Sequence, residues 1–143
     1  MSSFKIFDIA GSGLSAQSVR LNTVASNLAN ADSVSGDPAT VYKARHPVFQ
    51  AVQQKMLGAS STDNQSEAAV KVAGIVESKE APTMRYDPGN PLANAEGNVY
   101  APNVNVIEEM TDMISASRAY QDNVEVMTTS KDLMLATLKL GQS

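Results

Sequence analysis

The chain has 143 residues, enough for one ordinary domain, and 43% of them are hydrophobic, so its composition is not that of a disordered protein. It contains no tryptophan and only 5% aromatic residues, so the side chains that usually anchor a large globular core are scarce. The absence of cysteine excludes disulfides and thiolate metal sites, and a net charge of −4 argues against a role in binding nucleic acid through its phosphates.

An amphipathic helix is predicted from about Phe4 to Ala31, because strides of three and four residues lay an apolar stripe along one face. This stripe comprises Phe7, Ala10, Leu14, Gln17, Leu21, Val24, Leu28 and Ala31. The remaining face carries mostly small uncharged residues, which favours a helix enclosed by other backbones over a poorly solvated helix of a monomer. Gly11 and Gly13 each cost about 1 kcal/mol, so we expect weak helicity until a partner holds the segment.

The same N-terminal region gives no sign of a membrane or secretory segment. The apolar run from Ile6 to Ala10 is interrupted by Asp8 and is too short for a secretory signal core. No run of eighteen apolar residues occurs in the sequence, so no transmembrane helix is predicted. If the protein leaves the cytoplasm, we expect it to do so without a cleavable signal peptide.

Residues 33–101 predict a small β-rich insert. Strand patterns cover residues 41–53, 70–78 and 83–86, with a brief extended piece at 98–101. Turn-forming residues occupy 32–40 and 87–91, and the polar segment 58–67 is expected to be a mobile loop.

A second long helix is predicted from Asn105 to Leu140, with Asn105 as its cap and Glu108 as a capping-box acid. Its stripe comprises Val106, Met110, Met113, Ser117, Tyr120, Val124, Met127, Lys131, Met134 and Leu138. We therefore expect a mainly α fold, in which residues 1–32 and 102–143 pack as an antiparallel-type coiled-coil hairpin around the β-rich insert. Two such helices bury too little apolar surface to be a stable monomer, which favours burial against neighbouring subunits.

Few residues could carry chemistry. His46 is the single histidine and precedes a proline in a predicted strand, where a surface or packing role is favoured over catalysis. Glu108 and Asp112 share a helix face and could bind a divalent ion, but their position at a helix start explains them. The segments 11–13 and 87–97 lack the residues of a phosphate loop and of a calcium loop, respectively. No catalytic residue, cofactor or metal is predicted.

Two segments at opposite ends of the chain carry a resemblance that spacing alone would not give. Residues 25–33 have the sequence ASNLANADS, and residues 87–126 have the sequence DPGNPLANAEGNVYAPNVNVIEEMTDMISASRAYQDNVEV. Both resemble the flagellar basal-body rod family, and the short chain with its PNVN and SRAYQDN motifs is most similar to the proximal-rod members. The resemblance covers roughly residues 4–50 and 84–140; residues 58–80 contain nothing diagnostic.

The resemblance implies a structural subunit of the bacterial flagellar rod, with no enzymatic activity. It implies that the terminal helices form an inner layer stacked helically around a central channel and that subunits are exported unfolded by the flagellar type III apparatus. The implied partners are other copies of the chain, other proximal and distal rod proteins, and the base adaptor to the membrane ring. The implied location is the rod of the basal body, which spans the periplasm.

The resemblance also singles out six polar residues as motif positions: Asn27, Asn30, Asn103, Asn105, Arg118 and Asn123. Asn27 and Asn30 are three apart near a helix end, where they could cap that helix locally or contact an adjacent chain. Arg118 and Asn123 lie off the apolar stripe and are the better candidates for contacts between subunits, whereas Tyr120 lies on it. Asn103 and Asn105 are expected to fix where the second helix leaves the insert.

Two alternatives remain open at this point. The first is a soluble helical adaptor or export chaperone that uses the same stripes to bind one partner. The second is a small enzyme built on the insert, which would have only His46 and scattered carboxylates available.

Overall fold

The computed structural model describes residues 3–54 and 67–141. Two long helices flank two small sheets along the chain, in the order α1 (Ser3–Asn30), β1 (Arg45–Gln54), β2 (Glu67–Glu77), β3 (Thr83–Tyr86), β4 (Asn98–Ala101) and α2 (Val106–Leu140). The described fold is about half helical. The predicted pair of long terminal helices and the small β insert are thus confirmed, whereas the predicted mobile loop lies outside the described residues except for its last position.

The helices α1 and α2 pack side by side and run antiparallel. Three contacts fix the direction, since positions later in α1 meet positions earlier in α2: Gly13 lies against Asn123, Arg20 pairs with Asp112, and Asn27 bonds Glu109. No described helix is long and apolar enough to cross a membrane.

The ends of α2 have the expected chemistry. Asn105 is its N-cap and accepts a hydrogen bond from the Ile107 amide at 3.1 Å. Glu108 and Glu109 occupy the first turn and Lys139 the last, as the helix dipole favours. At Gly141 the backbone N–H donates to the Thr137 carbonyl at 3.2 Å, which closes the helix.

Strands β1 and β2 form an antiparallel hairpin that lies against α1. Its register shifts between Val48 and Phe49, as at a β-bulge. Ser12 in α1 accepts a hydrogen bond from the Val70 amide at 3.2 Å, which attaches β2 to the helix. Strand β1 begins at Arg45, later than the predicted residue 41, and Val41 and Ala44 in the segment that leads into it are buried.

Strands β3 and β4 form a second antiparallel pair at the predicted residues, and the 32–40 loop is attached to it. Ser35 and Tyr100 exchange backbone hydrogen bonds of 3.0 and 2.8 Å. Next to this bridge, a Cβ on Gly36 would lie 2.5 Å from the Leu92 carbonyl oxygen, so only glycine fits where the two loops touch.

The buried core is small and is built mainly from alanine and valine. Its apolar members are Ala10, Ala16, Val24, Val41, Ala44, Val99 and Ala116. Twenty large hydrophobic side chains of the described residues are exposed, with exposed fractions from 38% to 78%. Much of the apolar surface of this chain is therefore left uncovered by its own fold.

Candidate functional site: the helix pair and its outer surface

The face of α2 that packs against α1 consists of small and polar residues as well as methionines. The covered or partly covered positions of α2 are Glu109, Asp112, Met113, Ala116, Ser117, Ala119, Asn123, Met127, Ser130 and Met134. Ala116 is fully buried at the centre of this face. These positions share Met113, Met127, Met134 and Ser117 with the stripe predicted from the sequence.

The other members of the predicted stripe point away from α1 or lie at the side of the pair. Val106, Met110, Val124, Lys131 and Leu138 are exposed, Tyr120 is just over one-third exposed, and Ser117 is half-buried. The stripe is therefore divided between an inner face, which packs within the chain, and an outer face, which does not.

On α1 the predicted stripe lies within the folded chain. Val24 is buried, and the larger members are half-buried: Phe7, Leu14, Leu21 and Leu28. A Cβ on Gly13 would lie 2.8 Å from the Asn123 amide oxygen, so the two backbones approach closely at this point. Ala10 and Ala16 of the same helix are buried.

A buried asparagine joins the two helices to the start of β1. Asn27 is 0% exposed. Its Nδ2 donates to the Arg45 carbonyl at 2.9 Å and to Glu109 Oε1 at 2.8 Å. Its Oδ1 accepts from the Tyr42 hydroxyl at 2.9 Å and from the Arg45 amide at 3.0 Å. All four hydrogen-bonding positions of the amide are used within the chain; we call this cluster the Asn27 junction.

The electrostatics of the Asn27 junction follow from its burial. Glu109 is 5% exposed, and removal of its carboxyl from water raises its pKa, although the hydrogen bond from Asn27 acts in the opposite direction. Burial also raises the pKa of Tyr42, which keeps the hydroxyl protonated as a donor to Asn27. The Arg45 guanidinium lies 5.5 Å from the centre of the Tyr42 ring, a cation–π contact at the rim of the cluster.

The remaining motif residues have distinct positions. Asn103 accepts from the Ala44 amide at 2.8 Å and donates to the Glu80 carbonyl at 2.9 Å, so it fixes the chain just before α2. Asn30 and Asn123 donate to backbone carbonyls one turn earlier in their own helices, at 2.8 and 2.7 Å. Arg118 is exposed and borders a shallow groove on the outer surface of α2.

The outer surface of α2 carries two groups of exposed apolar side chains. The first, which we call the N-terminal patch, consists of Val106, Ile107, Met110 and Ile114, with exposed fractions between 43% and 76%. The second, which we call the C-terminal end, consists of Leu133, Leu135, Leu138 and Leu140, with exposed fractions between 49% and 78%.

The described residues do not form a recognisable chemical centre. His46 is exposed on β1 opposite Val76. Asp112, which with Glu108 forms the carboxylate pair considered above as a divalent-ion site, makes a 2.6 Å ion pair with Arg20. Within residues 3–54 and 67–141, no group of three or more histidine, aspartate or glutamate side chains could hold a metal ion.

Sequence reasoning did not find the partners in the Asn27 junction. Tyr42 and Arg45 fall within the predicted strand 41–53 and Glu109 within the first turns of the predicted second helix, and nothing in the local pattern shows contacts between residues 82 positions apart. One signal was available: Arg20 is an isolated cation in a nearly uncharged helix, which indicates an acidic partner elsewhere, here Asp112.

Comparisons with known proteins agree with the motifs. A family model described as flagella basal body rod protein matches residues 7–36, and one described as flagellar basal body rod FlgEFG protein C-terminal matches residues 95–140. The chain is 51% identical to the flagellar basal-body rod protein FlgC of Salmonella typhimurium, and the alignment covers 99% of this chain and 100% of the relative.

Two further relatives give the same result. Identity is 52% to the FlgC protein of Yersinia enterocolitica, over 99% of this chain and 100% of the relative, and 38% to that of Aquifex aeolicus, over 97% of each. The chain therefore belongs to the flagellar basal-body rod family, a family of structural proteins, and its full-length relatives are FlgC rod proteins.

Proposed function

We propose that this chain is a structural subunit of the bacterial flagellar rod, which assembles through its two terminal helices and transmits torque without catalysing a reaction. The observation that carries the proposal is the mismatch between a small alanine-rich core and a large exposed apolar surface on a chain of this family. Such a surface is typical of a protein that completes its burial against neighbours.

The inferred assembly is a helical stack around a central channel, in which α1 and α2 form the inner layer as a coiled-coil pair. The half-buried side chains of α1 and the outer face of α2 would be covered by adjacent subunits. Close interdigitation along two long helices would resist torsion, because packed interiors are not continuously deformable. The insert would brace neighbouring subunits.

The inferred neighbours are other copies of the chain, other proximal and distal rod proteins, and the base adaptor to the membrane ring. The location in the periplasm-spanning part of the rod, and export by the flagellar type III apparatus without a cleavable signal peptide, belong to the same proposal. Among the motif residues, Arg118, which is exposed, and Asn30, which is partly exposed, are the candidates for contacts between subunits, whereas Asn123, the other predicted candidate, lies against Gly13 within the chain.

The names of the relatives give no support to a soluble adaptor or chaperone. If that alternative held, the chain would form a defined small complex in solution and would be absent from purified basal bodies.

The test is Ile114→Asp in a bacterium whose own copy is this chain. Ile114 is 56% exposed, so the substitution adds a charge to the outer face without disturbing the packing of α1 on α2. We expect unchanged helicity of the purified chain, loss of swimming, and loss of the chain from isolated basal bodies.

The matched control is Ile114→Val, which keeps the side chain apolar and should swim normally. Normal swimming and normal incorporation of Ile114→Asp would contradict assembly through the outer face of α2.

A further inference from the structure

The two described sheets have two strands each, so each strand has one outer edge that its partner strand does not cover. The outer edge of β4 is bonded, because Tyr100 exchanges backbone hydrogen bonds with Ser35. The outer edge of β2 lies against α1, where the Val70 amide donates to the Ser12 hydroxyl. The other two outer edges belong to β1 and β3.

The outer edge of β3 has no partner among the described residues. In an antiparallel pair, residues alternate between those that bond the partner strand and those whose N–H and C=O groups point away from it. Tyr100 uses its outward groups on Ser35, so Met84 opposite it also points its backbone groups outward, and Tyr86 two residues later does the same. No described residue bonds these groups. The two side chains are 61% and 74% exposed.

The outer edge of β1 is bonded at its start. The Asn27 amide bonds both backbone groups of Arg45, so Arg45 and every second residue after it point these groups outward. The residue of β2 opposite Ala51 turns its own amide to α1, which agrees with this alternation. Pro47 has no N–H to offer. The outward groups of Phe49 and Ala51 are bonded by none of the described residues.

These two open edges match each other in one antiparallel register. Phe49 then lies opposite Tyr86, and Ala51 lies opposite Met84. Because all four residues point their backbone groups outward, the two pairs would exchange four hydrogen bonds. The side chains of both pairs lie on one face of the joined sheet, where an aromatic residue meets an aromatic residue and a small one meets a long one.

Prolines limit the contact to this length. The same register places Pro47 opposite Pro88, and neither residue has an N–H that the pairing would leave without a partner. At the other end of the short strand, Pro82 directly precedes β3. The edge of β3 is therefore available over its four residues, and the matching part of β1 is residues 49–52.

We propose that β3 of one copy of this chain pairs antiparallel with the outer edge of β1 in a second copy, in this register. The partner strand belongs to another copy because β3 does not contact the described hairpin of its own chain. Pairing of like edges, β1 on β1 or β3 on β3, would be a two-fold contact that closes into a dimer. Copies arranged in a helical stack meet through unlike surfaces, as β3 and β1 do.

The proposal rests on the proposed function, since it specifies how the insert braces neighbouring subunits. Four residues from each partner make an interface at the small end of the range, so the contact is weak between isolated chains. Repetition in the stack strengthens it.

The absence of cysteine from the sequence allows a direct test by disulfide formation. Gln50→Cys and Arg85→Cys are made in separate full-length chains, one of them tagged, and mixed at concentrations up to about 1 mM, where weak contacts form. Both side chains are exposed, and the register places them directly opposite each other as a non-hydrogen-bonded pair, the closer kind of cross-strand pair. We expect the mixed disulfide to form at least about tenfold faster than either symmetric disulfide.

The matched control is Lys71→Cys in place of Gln50→Cys. Lys71 is exposed and lies opposite Gln50 in the hairpin, on the same face but one strand further from the open edge. Its disulfide with Arg85→Cys should form no faster than the symmetric disulfides. Three outcomes overturn the proposal: equal rates for Gln50→Cys and Lys71→Cys, equal rates for mixed and symmetric disulfides, and no mixed disulfide at any concentration.

A proline substitution tests whether backbone groups make the contact. Ala51→Pro removes an outward N–H from β1 and leaves the hydrogen bonds between β1 and β2 in place. We expect it to slow the mixed disulfide at least about tenfold, whereas Ala51→Val, which keeps the N–H, should not. Met84→Pro applies the same test to the edge of β3. Circular dichroism verifies that each variant is folded, and an unchanged rate in folded Ala51→Pro and Met84→Pro would contradict strand pairing.

Failure of this contact is distinguishable from failure of the rod function. If the chain enters basal bodies but the mixed disulfide does not form, the chain is a rod subunit whose inserts meet through other surfaces. If the wild-type chain itself does not enter basal bodies, the rod function is wrong.

Discussion

At the scale of single residues, Asn27 has the most demanding environment in the described chain. Its side chain is fully buried and bonds the backbone of Arg45 and the side chains of Tyr42 and Glu109. An alanine at this position would leave those donors and acceptors without partners in a place that water does not reach. The cost of such unsatisfied groups exceeds the net gain of the bonds themselves.

We therefore expect Asn27→Ala to lower the free energy of unfolding by about 2–4 kcal/mol. Asn30→Ala is the matched control: it lies one turn later and bonds only the Ser26 carbonyl in its own helix, so its loss should cost less than about 1 kcal/mol. Urea denaturation of the two variants measures both values. Equal effects would contradict a special role for the buried amide.

Glu109 gives the second prediction at this scale. Burial raises its pKa above the ordinary value of 4.5, so the folded chain binds a proton more readily than the unfolded chain does. For this group, stability is therefore greatest below pH 4.5 and falls as the pH rises through the raised pKa. Glu109→Gln keeps an acceptor for Asn27 and removes the buried charge. We expect it to stabilise the chain at pH 7 and to have little effect at pH 4.

Urea denaturation at the two pH values measures the Glu109→Gln effect. Glu108→Gln is the control, since it removes the same charge from an exposed position in the same turn. Destabilisation by Glu109→Gln at pH 7 that persists at pH 4 would mean that the carboxylate contributes a specific contact rather than a desolvation cost.

At the scale of elements, the sequence predicted which segments form helices and strands better than which faces meet. Both helices and the strands β3 and β4 have the predicted bounds to within a residue or two, because apolar periodicity and turn residues are local signals. The packing face of α2 was not predicted. It includes Ala116, Asn123 and Ser130 beside the methionines, and a Cβ on Gly13 would lie 2.8 Å from the Asn123 amide oxygen, so the two backbones approach closely there.

The locality of these sequence signals also explains why the contacts of the Asn27 junction were not predicted. Hydrophobicity identifies candidate faces, but α2 carries apolar residues on both its inner and its outer side, so the strongest stripe need not be the one buried within the chain. Polar contacts between distant segments, such as Asn27 with Glu109, leave no periodic trace in the sequence.

The two glycines of α1 give a prediction at this scale. A Cβ on Gly11 would meet nothing within 4 Å, so Gly11→Ala should stabilise the chain by about 1 kcal/mol through helix propensity alone. A Cβ on Gly13 would lie 2.8 Å from Asn123 Oδ1, whose amide is held by the Ala119 carbonyl. Gly13→Ala should therefore gain nothing or lose stability.

Thermal denaturation of the two alanine variants, followed by circular dichroism, provides the measurement. A stabilisation by Gly13→Ala as large as that by Gly11→Ala would show that α1 and α2 are not in close contact at this point in solution.

At the scale of the whole molecule, the large exposed surface affects the stability of the helices in the isolated chain. α1 contains two glycines and no acidic residue in its first turn, and it packs on a core made mostly of alanine and valine. We expect weak protection of the amides from Leu14 to Leu28 in hydrogen exchange on the dilute monomer, and strong protection after assembly. Strong protection in the dilute monomer would contradict this expectation.

The Asn27 junction joins residues 27, 42, 45 and 109, which belong to opposite thirds of the chain. Its closure requires a loop of about eighty residues to form, and long loops close slowly because their ends must first find each other. A chain that arrives N-terminus first cannot complete the junction until residue 109 has followed. A chain of which only the first two thirds have arrived therefore lacks the Asn27 junction. The arrival of the final third of the polypeptide determines when the fold can close and become rigid.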